Sequence, residues 1–161
     1  MSKLIRVDGD LVKMAKASEF DVILHGCNCF NTMGAGIAKQ IADEFPSAYA
    51  ADQQTIRGDI TKLGTWSLVP HQLPNSNAAL VIINAYTQYN ISAGEDVFEY
   101  EAFHLILKKL ANLASNCIIG MPYIGMGLAG GDEKRIIAMM EQFAEDAAYR
   151  GNVVKLVRYV K

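Results

Sequence analysis

With 161 residues, 51% of them hydrophobic and 20% charged, the chain has the length and balance of one globular domain, which excludes a disordered or low-complexity protein. Its net charge of -2 supplies no basic field, so a surface that tracks nucleic-acid phosphates is not expected. No apolar run approaches the ~20 residues of a membrane helix, the N-terminus has no signal pattern and three cysteines cannot pair completely, so a reducing cytoplasm is the expected setting.

Residues 3–7 alternate as a strand that ends at Asp8-Gly9-Asp10, whose turn chemistry takes the chain out of the sheet. A turn of helix is expected within 14–20 and a buried strand over 22–25. The loop HGCNCFNTMGAGI (25–37) follows, and Ile37, Ile41 and Phe45 then recur at helical spacing until Pro46 interrupts and restarts the helix. Alternation over 64–70, turn residues at 74–77 and the apolar run over 79–85 predict a hairpin. A loop over 86–96 leads to a helix carrying Phe103, Ile106, Leu107, Leu110 and Leu113 on one face. A strand over 117–124 opens into a second glycine-rich loop, 125–131. Asp132 then caps a helix bearing Ile136, Met140, Phe143 and Ala147; Gly151 ends it, and 153–160 is the last strand. This alternation predicts an α/β chain with a mixed, mostly parallel sheet of about six strands and helices on both faces. Both glycine loops follow strands, so they share one edge of the sheet and can close on one ligand.

Gly34-Ala35-Gly36 lets backbone approach a ligand where the free N–H groups of a helix start attract anions. Gly125-Met126-Gly127-Leu128-Ala129-Gly130 spells the dinucleotide pattern, but the strand after it ends without the acid that would hold ribose hydroxyls. No glycine loop ends in the Gly-Lys-Ser/Thr of a P-loop. His25, Cys27 and Cys29 share a strand face, yet no second pair completes a zinc set, and no metal is expected. A Cys27 or Cys29 nucleophile lacks an identifiable base. His25 reads either as a core histidine or, before a phosphate loop, as a proton-transfer group or nucleophile. Asn28 and Asn31 are turn formers or partners for sugar hydroxyls. Asp10 is a turn carboxylate or an acceptor for a base amine, and Tyr159 a core ring or a stacking platform. His71 and His104 read as surface or packing residues.

Taken together, these segments resemble the macrodomain family, a three-layer α/β/α fold that binds ADP-ribose, across nearly the whole chain, 1–161, as a single macrodomain. Gly9-Asp10-Leu11 is similar to the family's early motif, in which the aspartate holds the adenine amine. His25-Gly26-Cys27-Asn28 and Gly34-Ala35-Gly36-Ile37 occupy the place of its asparagine and triple-glycine segment. The resemblance implies that Asn28 meets the distal ribose, with Asn31 and Met33 of the same segment in the site, and that Gly34 to Ile37 line the diphosphate. Gly125, Met126, Gly127, Leu128 and Ala129 resemble the second phosphate loop, and Tyr159 the aromatic that stacks on adenine. Within the family, ILHGCNC and MGAGIA resemble the ADP-ribose 1''-phosphate phosphatase branch, which implies a catalytic His25 with Asn28 orienting the ribose. In the branch that cleaves ADP-ribose from proteins, a lysine and an aspartate do the chemistry at places that look like Ala85 and Ala129 here. The expected ligand is thus ADP-ribose or ADP-ribose 1''-phosphate, with no cofactor and no nucleic-acid or membrane partner. A non-catalytic reader of ADP-ribose or of ADP-ribosylated protein, or an ADP-ribosyl-protein hydrolase, is the alternative.

Overall fold

The computed structural model describes residues 2–74, 79–91, 97–127 and 129–160. Its strands are β1 (Ile5–Gly9), β2 (Val22–Cys27), β3 (Trp66–Gln72), β4 (Ala79–Tyr86), β5 (Ile118–Met121) and β6 (Val153–Tyr159). They form one sheet in the order β1-β6-β5-β2-β4-β3, in which β3 runs antiparallel to β4 and every other pairing is parallel. The expected hairpin is the β3–β4 pair. The helices are α1 (Leu11–Lys16), α2 (Gly36–Glu44), α3 (Pro46–Gln53), α4 (Tyr100–Leu113) and α5 (Glu133–Ala148).

Strand alternation sends successive side chains to opposite faces, and that divides the core in two. Leu24 of β2, Ile83 of β4 and Ile119 of β5 pack with Phe103, Ile106 and Leu110 of α4 and Met140 of α5. Ile23 and Ile82, one residue away on the same strands, pack with Leu11 of α1, Ile41 of α2 and Ala48 of α3. The result is a three-layer α/β/α arrangement. Each fully buried Leu, Ile or Phe contributes about 1.5–3 kcal/mol of transfer free energy. Leu113 stands at the margin of the α4 stripe and is exposed.

Three boundaries differ from expectation for local reasons. Helix α1 starts at Leu11 rather than near Met14, because Asp10 Oδ1 accepts from Lys13 N at 3.1 Å and caps the helix early. Strand β5 stops at Met121 because Pro122 has no N–H for the ladder, and Ile124 N then donates to Pro122 O at 2.8 Å in a tight turn. Strand β2 runs on to Cys27, so the first glycine loop begins two residues later than the apolar run suggests. Pro46 separates α2 from α3 by occupying the first position of the second helix.

Because β1, β2, β4, β5 and β6 are mutually parallel, their carboxyl ends lie along one edge. The loops after β2 and β5 rise there side by side.

Candidate functional site

Over the carboxyl ends of β2, β4 and β5 lies a cleft of about 600 Å³. Gly34, Ala35, Gly36 and Ile37 form one wall; Gly125, Gly127 and Ala129 face them. A second cleft of about 440 Å³ continues toward β6, where Leu11, Val157 and Tyr159 line it. Both clefts share Gly36, Ile37, Pro122 and Tyr123, so they form one trough that crosses the strand ends. Tyr159 is 56% exposed and offers a ring at its far end.

Among the described residues, no Asp, Glu, Lys, Arg or His lines the larger cleft. Its polarity therefore comes from backbone and from neutral side chains. Ala35, the N-cap of α2, makes no side-chain cap bond, which leaves the first N–H groups of that helix open to an anion. On the opposite wall Gly125 has φ +77°, and a Cβ there would stand 2.3 Å from the Phe98 ring. Only glycine fits, and the loop closes through Gly131 N donating to Gly125 O at 2.7 Å.

His25 lies elsewhere. It is fully buried on the α1–α3 side of β2, and it is not on the wall of either cleft. Its Nε2 stands 2.6 Å from Asn84 Oδ1. Asn84 Nδ2 is spent on Ala48 O at 2.9 Å and Ser67 Oγ at 3.0 Å, so Oδ1 accepts and His25 carries its proton on Nε2. Burial lowers the imidazole from 6.5 to about 4, against the opposing effect of the Asn84 bond. The buried ring, off both cleft walls, matches the core reading of His25 given by the sequence rather than its catalytic alternative.

The polar layer around His25 continues. Tyr86 Oη donates to Asp52 Oδ1 at 2.7 Å and stands 2.8 Å from Ser67 Oγ. Lys62 Nζ donates to Asn31 Oδ1 at 2.6 Å and Cys29 O at 3.1 Å, and lies 4.8 Å from the Tyr86 ring centre. Cys27 Sγ is 3.7 and 3.8 Å from the two His25 ring nitrogens, but burial pushes its thiol up while it pushes the imidazole down. That is the reverse of what a thiolate–imidazolium pair needs. No group of three potential metal ligands occurs among the described residues.

The remaining expected site residues divide. Asn28 lines the larger cleft, and its amide shapes the loop: Oδ1 accepts from Phe30 N at 2.8 Å, and Nδ2 donates to Thr32 Oγ1 at 2.9 Å. Asn31 does not line the trough. Its Nδ2 donates to Thr55 O at 2.7 Å and its φ is +58°, so it anchors the loop to the chain after α3. Met33 points into the α1–α3 core, 4% exposed, and Met126 packs on the α4–α5 core. None of the three lines either cleft, since short loops must bury alternate side chains to hold their shape. Gly9 pairs with Tyr159, and Asp10 caps α1 beside Leu11, at the edge of the smaller cleft. Leu128 lies outside the described residues. Of the places that resemble the hydrolase lysine and aspartate, Ala85 is buried in the sheet and Ala129 is on the cleft wall. Sequence reading missed Thr32, Thr87, Gln88 and Tyr123. Thr87 and Gln88 had one signal, their position directly after the apolar β4 run.

No family model matches the chain. It is 35% identical over 143 residues, 86% of this chain and 88% of the other, to an uncharacterised 17.5 kDa protein of the tk–vs intergenic region of Enterobacteria phage T4. Over 49 residues, 30% of this chain and 27% of the relative, it is 43% identical to the ADP-ribose 1''-phosphate phosphatase of Meyerozyma guilliermondii. Among solved structures, the Trypanosoma brucei macrodomain in complex with ADP-ribose superposes with a TM-score of 0.68 at 14% identity, covering 99% of this chain and 64% of that one. By these likenesses the chain belongs to one family with the phage T4 protein, and its fold is that of the macrodomains.

Proposed function

We propose that the trough binds ADP-ribose. Adenine rests against Tyr159, with Asp10 at the same strand end accepting from its amine. The diphosphate lies between Gly34 to Ile37 and Gly125 to Gly127, and the terminal ribose reaches Asn28. One observation carries this reading: an exposed ring at one end of the trough joins two facing backbone loops that carry no charged side chain. Backbone N–H groups bind a diphosphate through directed bonds, without a general basic field that would also draw nucleic acid.

The 49-residue likeness to a phosphatase favours a second reading, in which the 1''-phosphate of ADP-ribose 1''-phosphate is removed. With His25 sealed away, that reaction rests on positioning: water adds to phosphorus as the bond to the ribose oxygen breaks. N–H groups of the Gly125 loop and the neutral side chains of Thr32 and Gln88 hold the charged oxygens.

Calorimetry with ADP-ribose tests the first reading, and an assay for phosphate released from ADP-ribose 1''-phosphate tests the second. Binding with release supports both. Binding without release leaves a reader of ADP-ribose or of ADP-ribosylated protein. Release of ADP-ribose from a modified protein makes the chain a hydrolase, and absence of binding removes all three.

A further inference from the structure

Burying a lysine costs free energy, because its ammonium gives up water, and such a group persists inside a protein where its donors and charge are put to use. Lys62 is 7% exposed. It ends a single helical turn, Ile60–Lys62, which Asp59 caps by accepting from Thr61 N at 2.9 Å. Among the described residues it makes no ion pair. Its Nζ instead donates to Asn31 Oδ1 at 2.6 Å and to Cys29 O at 3.1 Å, and stands 4.8 Å from the centre of the Tyr86 ring. Both acceptors belong to the first glycine loop, 31 and 33 positions earlier in the chain.

The loop alternates around that grip. Asn28 and Thr32 line the larger cleft, and Asn28 Nδ2 ties them together by donating to Thr32 Oγ1 at 2.9 Å. Cys29 and Asn31 lie between them in the chain and line neither cleft. Asn31 has φ +58°, a left-handed conformation that side chains rarely adopt unless neighbours impose it. Gln53 Nε2 on Asn31 O at 2.6 Å and Gly58 N on Cys29 O at 2.7 Å complete the support. Of these donors, Lys62 alone carries a charge.

We propose that Lys62 is a positioning residue for the phosphate end of the trough. Its ammonium holds Cys29 and Asn31 from behind, so that Asn28, Thr32 and the N–H groups at the start of α2 meet a diphosphate in a fixed arrangement. Lys62 lines neither cleft and touches no ligand itself. This inference rests on ADP-ribose being the ligand, and it deepens that reading by naming what orders the phosphate loop. A loop ordered beforehand loses less entropy on binding, so the contribution of Lys62 appears in affinity.

The test is calorimetric titration of ADP-ribose into the wild-type protein, Lys62→Met, Lys62→Arg, Asn31→Gly and the double variant of Lys62→Met with Asn31→Gly. Lys62→Met keeps an apolar stem and removes the donors; Asn31→Gly keeps the positive φ and removes the acceptor. Each should weaken binding about tenfold, the value of one hydrogen bond to a charged group. Because Lys62 acts through Asn31, the double variant should bind within about twofold of either single one, whereas independent structural losses multiply. Lys62→Arg keeps the charge and the donors and should restore most of the affinity. Wild-type affinity in Lys62→Met, multiplied losses in the double variant, or a folded Lys62→Arg that binds no better than Lys62→Met overturns the assignment while ADP-ribose binding stands. Should the Lys62 variants lose their cooperative thermal transition, Asn31→Gly decides: unchanged affinity overturns the assignment and a tenfold loss supports it. A wild type that binds no ADP-ribose overturns the ligand itself and the assignment with it.

Discussion

Strands β2 and β4 present two polar regions that differ in kind. Beneath the sheet, His25 bonds to Asn84 and Tyr86 to Asp52, while Lys62 bonds to Asn31 and lies over the Tyr86 ring, all of them buried. Above the strand ends, the larger cleft of the trough is lined by glycines, three alanines, two threonines, other uncharged side chains and backbone. One residue step separates them, since His25 faces down and Gly26 faces up. The lower layer holds reactive side-chain types in a buried network beside a glycine loop. The upper one shows that a site for an anion can be built almost without side chains, because backbone dipoles stay fixed while a lysine or arginine must be ordered.

The largest expected effect comes from putting a charge into the upper region. Gly36 has φ +57°, and no atom lies within 4 Å of the point where a Cβ would stand, so a side chain there enters the cleft. Gly36→Glu should weaken ADP-ribose binding by about a hundredfold or more in calorimetry, because a carboxylate then faces the diphosphate. It should keep a cooperative thermal transition, lowered by about 1 kcal/mol of backbone strain. Unchanged affinity would move the diphosphate away from Gly36.

The next effect belongs to the lower region. His25 has its ordinary value of 6.5 when unfolded and about 4 when folded. Between those values the unfolded chain holds the extra proton, so stability falls as pH drops through that window. About 2 kcal/mol should be lost between about pH 7 and pH 5 from this residue alone. Urea denaturation of the wild type and His25→Gln at several pH values isolates it: the difference between the two should shrink as pH falls. An identical slope in both would mean that the ring is open to solvent. Burial raises the Asp52 carboxyl, and that group works in the opposite direction at lower pH, which is why the difference between the proteins is the quantity to read.

The smallest effect lies where cap and site meet. Asp10→Ala should lower stability by about 1 kcal/mol through loss of the α1 cap, whereas Asp10→Asn, which also caps, should stay near the wild type. If ADP-ribose affinity nonetheless falls in Asp10→Asn, the carboxylate also serves the adenine; unchanged affinity confines it to the helix.

Much of this was legible in the chain. Apolar alternation and helical spacing located the six strands and the α-helices among the described residues, and the hairpin followed from its turn residues. The two glycine loops were visible because close backbone approach demands a residue type that stands out. Whether His25 is a core or a reacting histidine stayed open in the sequence, because position along the chain marks proximity to a strand end but not the face to which a side chain turns. That Asn31 and Met33 lie off the trough wall was not legible, because a loop sequence does not say which residues it buries to hold itself. Thr32 and Tyr123 escaped because a lone threonine or tyrosine in a loop has no pattern.

The sequence by itself determined the periods, the breaks and the glycine positions, all of which depend on neighbours within a few residues. Only the tertiary structure decided that β2 and β4 lie side by side and that His25 is buried off the cleft wall. Those facts depend on which strands pair, and pairing between residues some 60 positions apart, such as His25 with Asn84, is set by packing of the whole core.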